Sequence, residues 1–416
     1  MNVLVIGGGG REHAIIRKLR ESPRAGRIFC APGNGGIARL AEQVSIGALE
    51  FKKLADFAAE NGAFTVVGPE VPLAEGIADY FISRGLPVFG PVKAAARLEW
   101  SKSFSKSLMK KYGIPTAGYE VFTDAESALE YVERAARPLV VKADGLALGK
   151  GVTVCESREE AREAVLGAMR GKNGPAGETL VIEEFLTGPE VSVLAFCDGK
   201  TISPMLSSKD HKRALDGDLG PNTGGMGAIC PSPRYTRETA RECQEKIFEP
   251  TLRALLAEGL DFRGVLYFGL MLTPDGPKVI EYNARFGDPE TQVVLPLLKT
   301  DLLEIMTACA EGRLAELKIE WESGAAACVV IASGGYPGDY EKGKEIRGLD
   351  EIDEASGVWA IHAGTELLDE RIITSGGRVL GITAKAPNLS EALVKAYGAA
   401  EKIRFDGAFY RKDVGR

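Results

Sequence analysis

The chain has 416 residues, 45% of them hydrophobic and 26% charged, with a net charge of −7. That balance is globular rather than disordered or fibrous, and the length calls for two or more packed units. No concentrated basic stripe occurs, which excludes an ordinary nucleic-acid or anionic-membrane binder, and seven scattered cysteines without a CxxC pair exclude a disulfide framework or zinc site.

The N-terminus runs straight into an apolar strand at residues 2–6, without a basic leader or cleavage pattern, and apolar runs such as 325–332 are far too short to span a bilayer. A soluble, cytoplasmic protein is expected. Over the first hundred residues strand-like runs at 3–6, 27–30, 64–67 and 87–89 alternate with amphipathic helices. Phe51, Leu54, Ala55 and Ala58 follow the i, i+3, i+4, i+7 pattern, as do Leu73, Ile77, Tyr80 and Phe81. Such alternation predicts a parallel sheet with right-handed crossovers, with ligands bound by the loops at the strands' carboxyl ends. Those loops are residues 7–13, 31–36, 68–72 and 90–91.

A second unit begins near Leu98, where Leu98, Phe104, Leu108 and Tyr112 mark one helix stopping at Gly113. Thr123 with Glu126, and Ser157 with Glu160, are capping-box starts of two more helices. Between them lie a strand at 139–142, a glycine-rich loop at 143–150 and a strand at 151–155. Strands at 179–183 and 190–197 follow, then a long polar stretch at 207–228, of the kind that is either functional or disordered. Strands at 265–272 and 278–283 are joined by Thr273-Pro274-Asp275-Gly276, a turn signal. A small third unit follows, with strands at 327–332, 358–362 and 379–383 and a helix near 390–404. The expected division is an N-terminal α/β domain at 1–100, a central domain at 101–325 and a C-terminal α/β domain at 326–416.

Four segments carry chemistry. In Lys142-Ala143-Asp144-Gly145-Leu146-Ala147-Leu148-Gly149-Lys150-Gly151, glycines let backbone N–H groups approach polyphosphate and two lysines supply charge. It is no Walker A loop, since Gly151 replaces the Ser/Thr, and an ordinary basic hairpin fits it too. Residues 181–186 form a strand ending in Glu183 and Glu184 that could meet an adenine edge and ribose hydroxyls; solvated acids on a strand edge are the bland alternative. Glu281 and Asn283 share one strand face and offer two hard oxygen ligands for Mg²⁺, with Arg285 beyond them for phosphate or carboxylate. The stretch 208–227 mixes charge with glycine, and a lone loop histidine there, His211, or in the first loop, His13, earns no catalytic role. The opening Gly7-Gly8-Gly9-Gly10-Arg11-Glu12-His13 fails the GxGxxG spacing, but a helix N-terminus after a strand suits the phosphate of a substrate.

Taken in order, VLVIGGGGREHA at 3, APGN at 31, VVGPE at 66, VKADGLALGKGV at 141, VIEEFLTGPE at 181, KDHKRALDGDLGPNTGGMGA at 209, EYNARFGDPETQ at 281, ASGGYPGDY at 332 and IHAGT at 361 resemble the ATP-grasp superfamily. Within it the chain is most similar, over its whole length, to the glycinamide ribonucleotide synthetase (phosphoribosylamine–glycine ligase) family. The resemblance implies a central ATP-grasp fold of two α+β subdomains, with a mobile nucleotide-clamping part at about 120–190. It also implies the reaction of ATP, glycine and 5-phosphoribosylamine through a glycyl phosphate to glycinamide ribonucleotide, ADP and phosphate, in de novo purine biosynthesis.

By motif, Lys106 and Lys142 would contact the ATP phosphates, with Gly145, Gly149, Lys150 and Gly151 closing over them. Glu183, Glu184, Phe185 and Leu186 would meet adenine, and Glu190 the ribose. Glu281 and Asn283 would hold Mg²⁺ or Mn²⁺. Gly9, Gly10, Arg11, Glu12, Asn34 and Glu70 would line the phosphoribosylamine site, and Asp210, Gly224, Gly225, Met226, Arg285 and Asp288 would complete the pockets for the two substrates. Arg285, Asp210 and Lys142 are the expected catalytic set. One departure stands out: Gly269-Leu270-Met271 offers no second metal carboxylate where many ATP-grasp enzymes have one.

The nearest rival is a sibling ligase using bicarbonate or formate, against which the 210–213 and 222–227 segments speak. A nicotinamide-dependent oxidoreductase fails on the missing third glycine and on the lack of an acid after Cys30-Ala31-Pro32. A catalytically dead ATP-binding module fails on Lys142, Glu281, Asn283 and Arg285. A monomer or weak homo-oligomer acting on small molecules is expected, with no further purine-pathway enzyme fused to it.

Overall fold

A computed structural model describes residues 1–136, 138–145, 151–172 and 174–416. The N-terminal strands are β1 (Asn2–Gly7), β2 (Ile28–Pro32), β3 (Glu42–Gln43), β4 (Ala63–Val67) and β5 (Val88–Phe89). They form one parallel sheet in the order β3-β2-β1-β4-β5. Val3, Leu4, Val5 and Ile6 are all buried, because a parallel sheet has both faces covered. One face packs with the central domain's core and the other with the helix Leu302–Glu311 and the C-terminal unit, so the loops after β1, β2 and β4 open toward the rest of the molecule.

The helices in this half are α1 (Gly10–Leu19), α2 (Phe51–Asn61), α3 (Glu70–Ala74), α4 (Ile77–Ser83), α5 (Lys93–Trp100) and α6 (Lys102–Lys111). The pattern through Leu73 and Phe81 predicts one helix, but Gly76 at φ +90° breaks it into α3 and α4. The single helix expected over 98–112 is also two. Ser101 is extended and caps α6 by accepting from Phe104 N at 3.3 Å, and this break sets Lys102 and Lys106 on the cavity side.

Next come β6 (Tyr119–Phe122), β7 (Leu139–Ala143), β8 (Val152–Cys155) and β9 (Leu180–Glu184), an antiparallel sheet in the order β6-β9-β7-β8. With the helices Ala125–Arg134 and Arg158–Gly167 it closes over its own core, separate from the others. The cap at Ser157 has the expected capping box, whereas Asp124, not Thr123, caps the earlier helix by accepting from Ser127 N at 2.8 Å. A carboxylate one residue nearer the helix displaces the hydroxyl.

The body continues with β10 (Glu190–Asp198), β11 (Ile202–Pro204), β12 (Lys209–Asp210), β13 (Arg213–Leu215), β14 (Leu219–Asn222), β15 (Gly227–Cys230), β16 (Arg263–Thr273) and β17 (Gly276–Asn283). The C-terminal strands include β18 (Ala325–Ala332), β19 (Val358–His362) and, after a hairpin, Arg378–Ala386. The polar stretch 207–228 is therefore ordered into short strands. β12 pairs with β15 and β15 with β18, so this segment of the central region completes the C-terminal unit's sheet. Its glycines and charges hide that pairing from periodicity.

Strand β17 carries a bulge. Gly269 faces Glu281 and Leu270 faces Val279, leaving Ile280 as the extra residue. Without it, simple alternation would send Ile280 and Glu281 to opposite faces. With it, Val279 and Tyr282 are buried while Ile280, Glu281 and Asn283 line the cavity.

Candidate active site

A cavity of about 1030 Å³ lies between the β6–β9 sheet and the body, and reaches the carboxyl edge of the N-terminal sheet. On the side of the β6–β9 sheet Glu183 sits between two lysines. Its Oε1 is 2.9 Å from Lys142 Nζ and its Oε2 is 2.8 Å from Lys106 Nζ. All three are nearly enclosed, at 3%, 4% and 2% exposure for Glu183, Lys142 and Lys106. Lys142 also donates to Ile280 O at 3.2 Å, and Lys106 to Thr116 Oγ1 at 2.7 Å. Burial pulls Lys106 down to about 8, against the opposing pull of Glu183. The trio carries one net positive charge, poised for an anion. Glu183 thus organises the lysines, and Phe185 and Leu186 line the cavity beyond it. Glu184 also lines the cavity and accepts from Gly118 N at 3.0 Å.

Gly145 and Gly151 bracket the glycine-rich loop. Lys102 Nζ donates to Gly145 O at 3.0 Å, and Gly151 O accepts from Ala143 N at 2.8 Å. Gly149 and Lys150, expected over the phosphates, lie outside the described residues.

Across the cavity stand Glu281 and Asn283. Burial opposes the charge on Glu281, yet Lys212, Lys142, Lys102 and Arg285 hold its carboxyl below the usual range. Lys212 Nζ lies 2.9 Å from Glu190 and 3.8 Å from Glu281. Burial works against the Lys212 ammonium as well, but those two carboxylates raise its pKa well above normal. Arg285 is held by Glu99 at 2.8 Å and Glu70 at 3.5 Å, and donates to Asn283 Oδ1 at 3.4 Å. Glu99 further accepts from Ala284 N at 2.7 Å, fixing the backbone just before the arginine.

The third wall is acidic. Asp210 Oδ1 is buried and has no hydrogen-bond partner among the described residues. Burial, then Glu290, push the Asp210 carboxyl well up. Glu290 is fixed by Tyr267 Oη at 3.0 Å and Ser192 Oγ at 3.2 Å. Asp288 accepts from Arg11 N at 3.2 Å and from Gln292 at 2.7 Å, and pairs with Arg378 at 3.4 Å. Arg378 also donates to the carbonyls of Gly224 and Asp288. Gly225 is at φ +111°, and a Cβ there would lie 2.5 Å from Asp210 Oδ1, so only glycine lets the loop approach.

At the N-terminal sheet, Glu12 closes the first turn of α1 by accepting from Gly9 N at 2.6 Å and from Arg11 Nε at 2.6 Å. Gly10 lies beside Gln292, where a Cβ would be 2.7 Å from its amide. Asn34 donates to Gly8 O and His362 O and accepts from Gly36 N and Ile37 N. Its side chain is fully engaged by the fold. Met226 is fully buried, and its backbone is taken up by His211 O and Val330 N, so it is not part of the cavity lining. Arg11, Glu70, Lys106, Lys142, Phe185, Leu186, Glu190, Asp210, Gly224, Arg285 and Asp288 all line the cavity. Lys102, Lys212, Glu99, Glu290, Tyr267 and Arg378 line it too and were missed. Lys212 and Glu290 sit inside motifs already singled out, whereas nothing local marks Glu99 or Arg378.

Among the described residues, no group of three or more His, Cys, Asp or Glu side chains could hold a metal alone, and no helix is long and apolar enough to cross a membrane. Glu281 and Asn283 do suit a hard cation whose remaining ligands are phosphate oxygens and water.

Three family models match in order: the phosphoribosylglycinamide synthetase N domain over residues 1–99, its ATP-grasp (A) domain over 100–291 and its C domain over 326–416. The phosphoribosylamine–glycine ligase of Caldanaerobacter subterraneus is 52% identical over 417 residues, covering 100% of this chain and 99% of the relative. That of Nostoc sp. is 52% identical over 421 residues, with the same coverage. The crystal structure of phosphoribosylamine–glycine ligase from Thermotoga maritima matches with a TM-score of 0.87 at 36% identity over 100% of both chains. A biotin carboxylase domain from Hydrogenobacter thermophilus, solved with MgADP and bicarbonate, shares the fold at a TM-score of 0.75 and 19% identity, over 98% of this chain and 91% of that one.

Proposed function

The chain belongs to the phosphoribosylglycinamide synthetase family, and from that premise we propose that it uses ATP to join glycine to 5-phosphoribosylamine, giving glycinamide ribonucleotide, ADP and phosphate. It is an ATP-dependent C–N ligase of the ATP-grasp type, in purine biosynthesis. The observation that carries the reading is the buried Lys106–Glu183–Lys142 trio facing Glu281, Asn283 and Arg285 across one cavity.

Lys106 and Lys142 bind the polyphosphate, with adenine against 185–186 and ribose toward Glu190. Glu281 and Asn283 would hold Mg²⁺ or Mn²⁺, and the ion would supply charge neutralisation. A glycine carboxylate oxygen attacks the γ-phosphorus; the new O–P bond forms as the bridge to the β-phosphate breaks and ADP leaves. Arg285 orients the carboxylate and then the transferred phosphoryl group. Asp210, with its unpartnered oxygen, receives the glycine ammonium. The amine of phosphoribosylamine attacks the acyl carbon, phosphate departs, and the amine's proton is lost as the amide forms. No protein nucleophile is needed, because positioning and neutralisation carry the rate. Arg11 and Glu70 bring the phosphoribosyl end toward the N-terminal loops. A cytoplasmic location, as a monomer or weak homo-oligomer, goes with this reading.

The test is phosphate release from ATP with glycine and phosphoribosylamine each omitted in turn. Release that needs both supports the proposal; release that needs bicarbonate in place of glycine overturns it.

A further inference from the structure

Asp210, the last residue of β12, and Lys212, in the link to β13, both line the cavity, and the residue between them does not. His211 is buried, and its ring lies on the opposite side of the strand, as alternation requires. Its Nε2 accepts from Gly415 N at 3.0 Å, so the proton sits on Nδ1, which lies 3.2 Å from Gly227 O. Both ring nitrogens are engaged in the neutral form, in keeping with a pKa that burial lowers to about 4.

Residues 411–415 hold the same stretch at a second point. Arg411 is buried and donates to Arg213 O at 3.1 Å and to Asp218 at 2.8 Å. Its other face is clamped by both oxygens of Asp413, at 2.7 and 2.8 Å. Asp413 in turn accepts from Gly217 N at 2.7 Å. The segment is tied to the C-terminal helix through Tyr397, whose hydroxyl accepts from Val414 N at 2.9 Å and donates to Arg411 O at 3.0 Å. A strand stretch of few residues, rich in polar groups, has little apolar burial of its own to fix it. The C-terminal segment supplies that fixation.

We propose that residues 411–415 act as a strap that sets the position of Asp210 and Lys212, making Arg411 and His211 positioning residues for the reaction. The inference rests on the reading of Asp210 and Lys212 as substrate-site groups. Two measurements test it on the full chain. In Arg411→Met, hydrogen exchange at the amides of 211–223 should rise at least about tenfold, while the β1–β5 sheet keeps its protection, as expected when a charge-assisted network is lost from one segment. In the same variant the KM for glycine should rise about tenfold with the KM for ATP changed less than twofold, and Arg411→Lys should recover part of the loss. His211→Phe, which keeps the ring but not the bonds, should reproduce the glycine effect. Unchanged exchange in Arg411→Met overturns the strap whatever the substrate is. Raised exchange with an unchanged glycine KM, or with all KM values and the melting temperature shifted together, overturns its link to catalysis. Should the unaltered protein fail to turn over glycine at all, the functional reading falls, and the exchange result alone decides the strap.

Discussion

Replacing Lys142 with methionine removes one of the two cations proposed to bind the polyphosphate, at nearly constant volume. The lysine is almost fully enclosed and shares Glu183 with Lys106, so the fold keeps one partner for that carboxylate. An ammonium at about 4 Å from a phosphate charge is worth at most about 4 kcal/mol at an effective dielectric near 20. Lost pairing with Glu183 and the usual range of about 1.5–3 kcal/mol for charged hydrogen bonds narrow that figure. The KM for ATP should therefore rise about 10- to 150-fold, with the glycine KM changed less than twofold. The melting temperature should fall by a few degrees, roughly the effect of about 1 kcal/mol. Steady-state phosphate release across an ATP titration, at saturating glycine and phosphoribosylamine, measures the first effect. An ATP KM within twofold of the unaltered protein would refute the assignment.

Lys106 makes a pH prediction. Burial lowers it from 10.5 to about 8, so the ammonium proposed to bind phosphate is present below that pH and lost above it. The ATP KM should climb between pH 7 and 9 with a midpoint near 8, and Lys106→Arg, which keeps its proton, should flatten the climb. In stability the sign is opposite: the fold disfavours the buried charge, so the penalty is full below about 8 and is relieved as pH rises toward 10.5. Glu281→Gln should abolish metal-dependent turnover while leaving circular dichroism unchanged, since an oxygen ligand weakens without a cavity forming. Activity within a few-fold of normal would remove Glu281 from the metal site.

The parallel sheet was legible because strand and helix periods alternate cleanly from Asn2 to Phe89, and part of the cavity lining because Lys142, Glu281 and Arg285 lie in dense motifs. Breaks within apolar periodicity were not legible. Gly76 and Ser101 interrupt helices whose buried faces continue across the break, so the pattern looks unbroken. The bulge at Ile280 leaves no residue-level mark, although it places Glu281 in the cavity. Contacts over long sequence distances were equally hidden. Arg378 reaches Asp288 and Gly224 from another unit, Glu99 fixes Arg285 across 186 positions, and Asn34 is consumed by partners as distant as His362. Residue type announces a charge in such cases, but only the fold decides what it meets.

Activation of the acid is the claim from which the other assignments follow. Glycine labelled with oxygen-18 in its carboxylate, turned over with ATP and phosphoribosylamine, should pass one labelled oxygen to each inorganic phosphate released, seen as a two-dalton shift. Unlabelled phosphate alongside normal product formation would mean that no acyl phosphate forms, and the account would be contradicted at its centre.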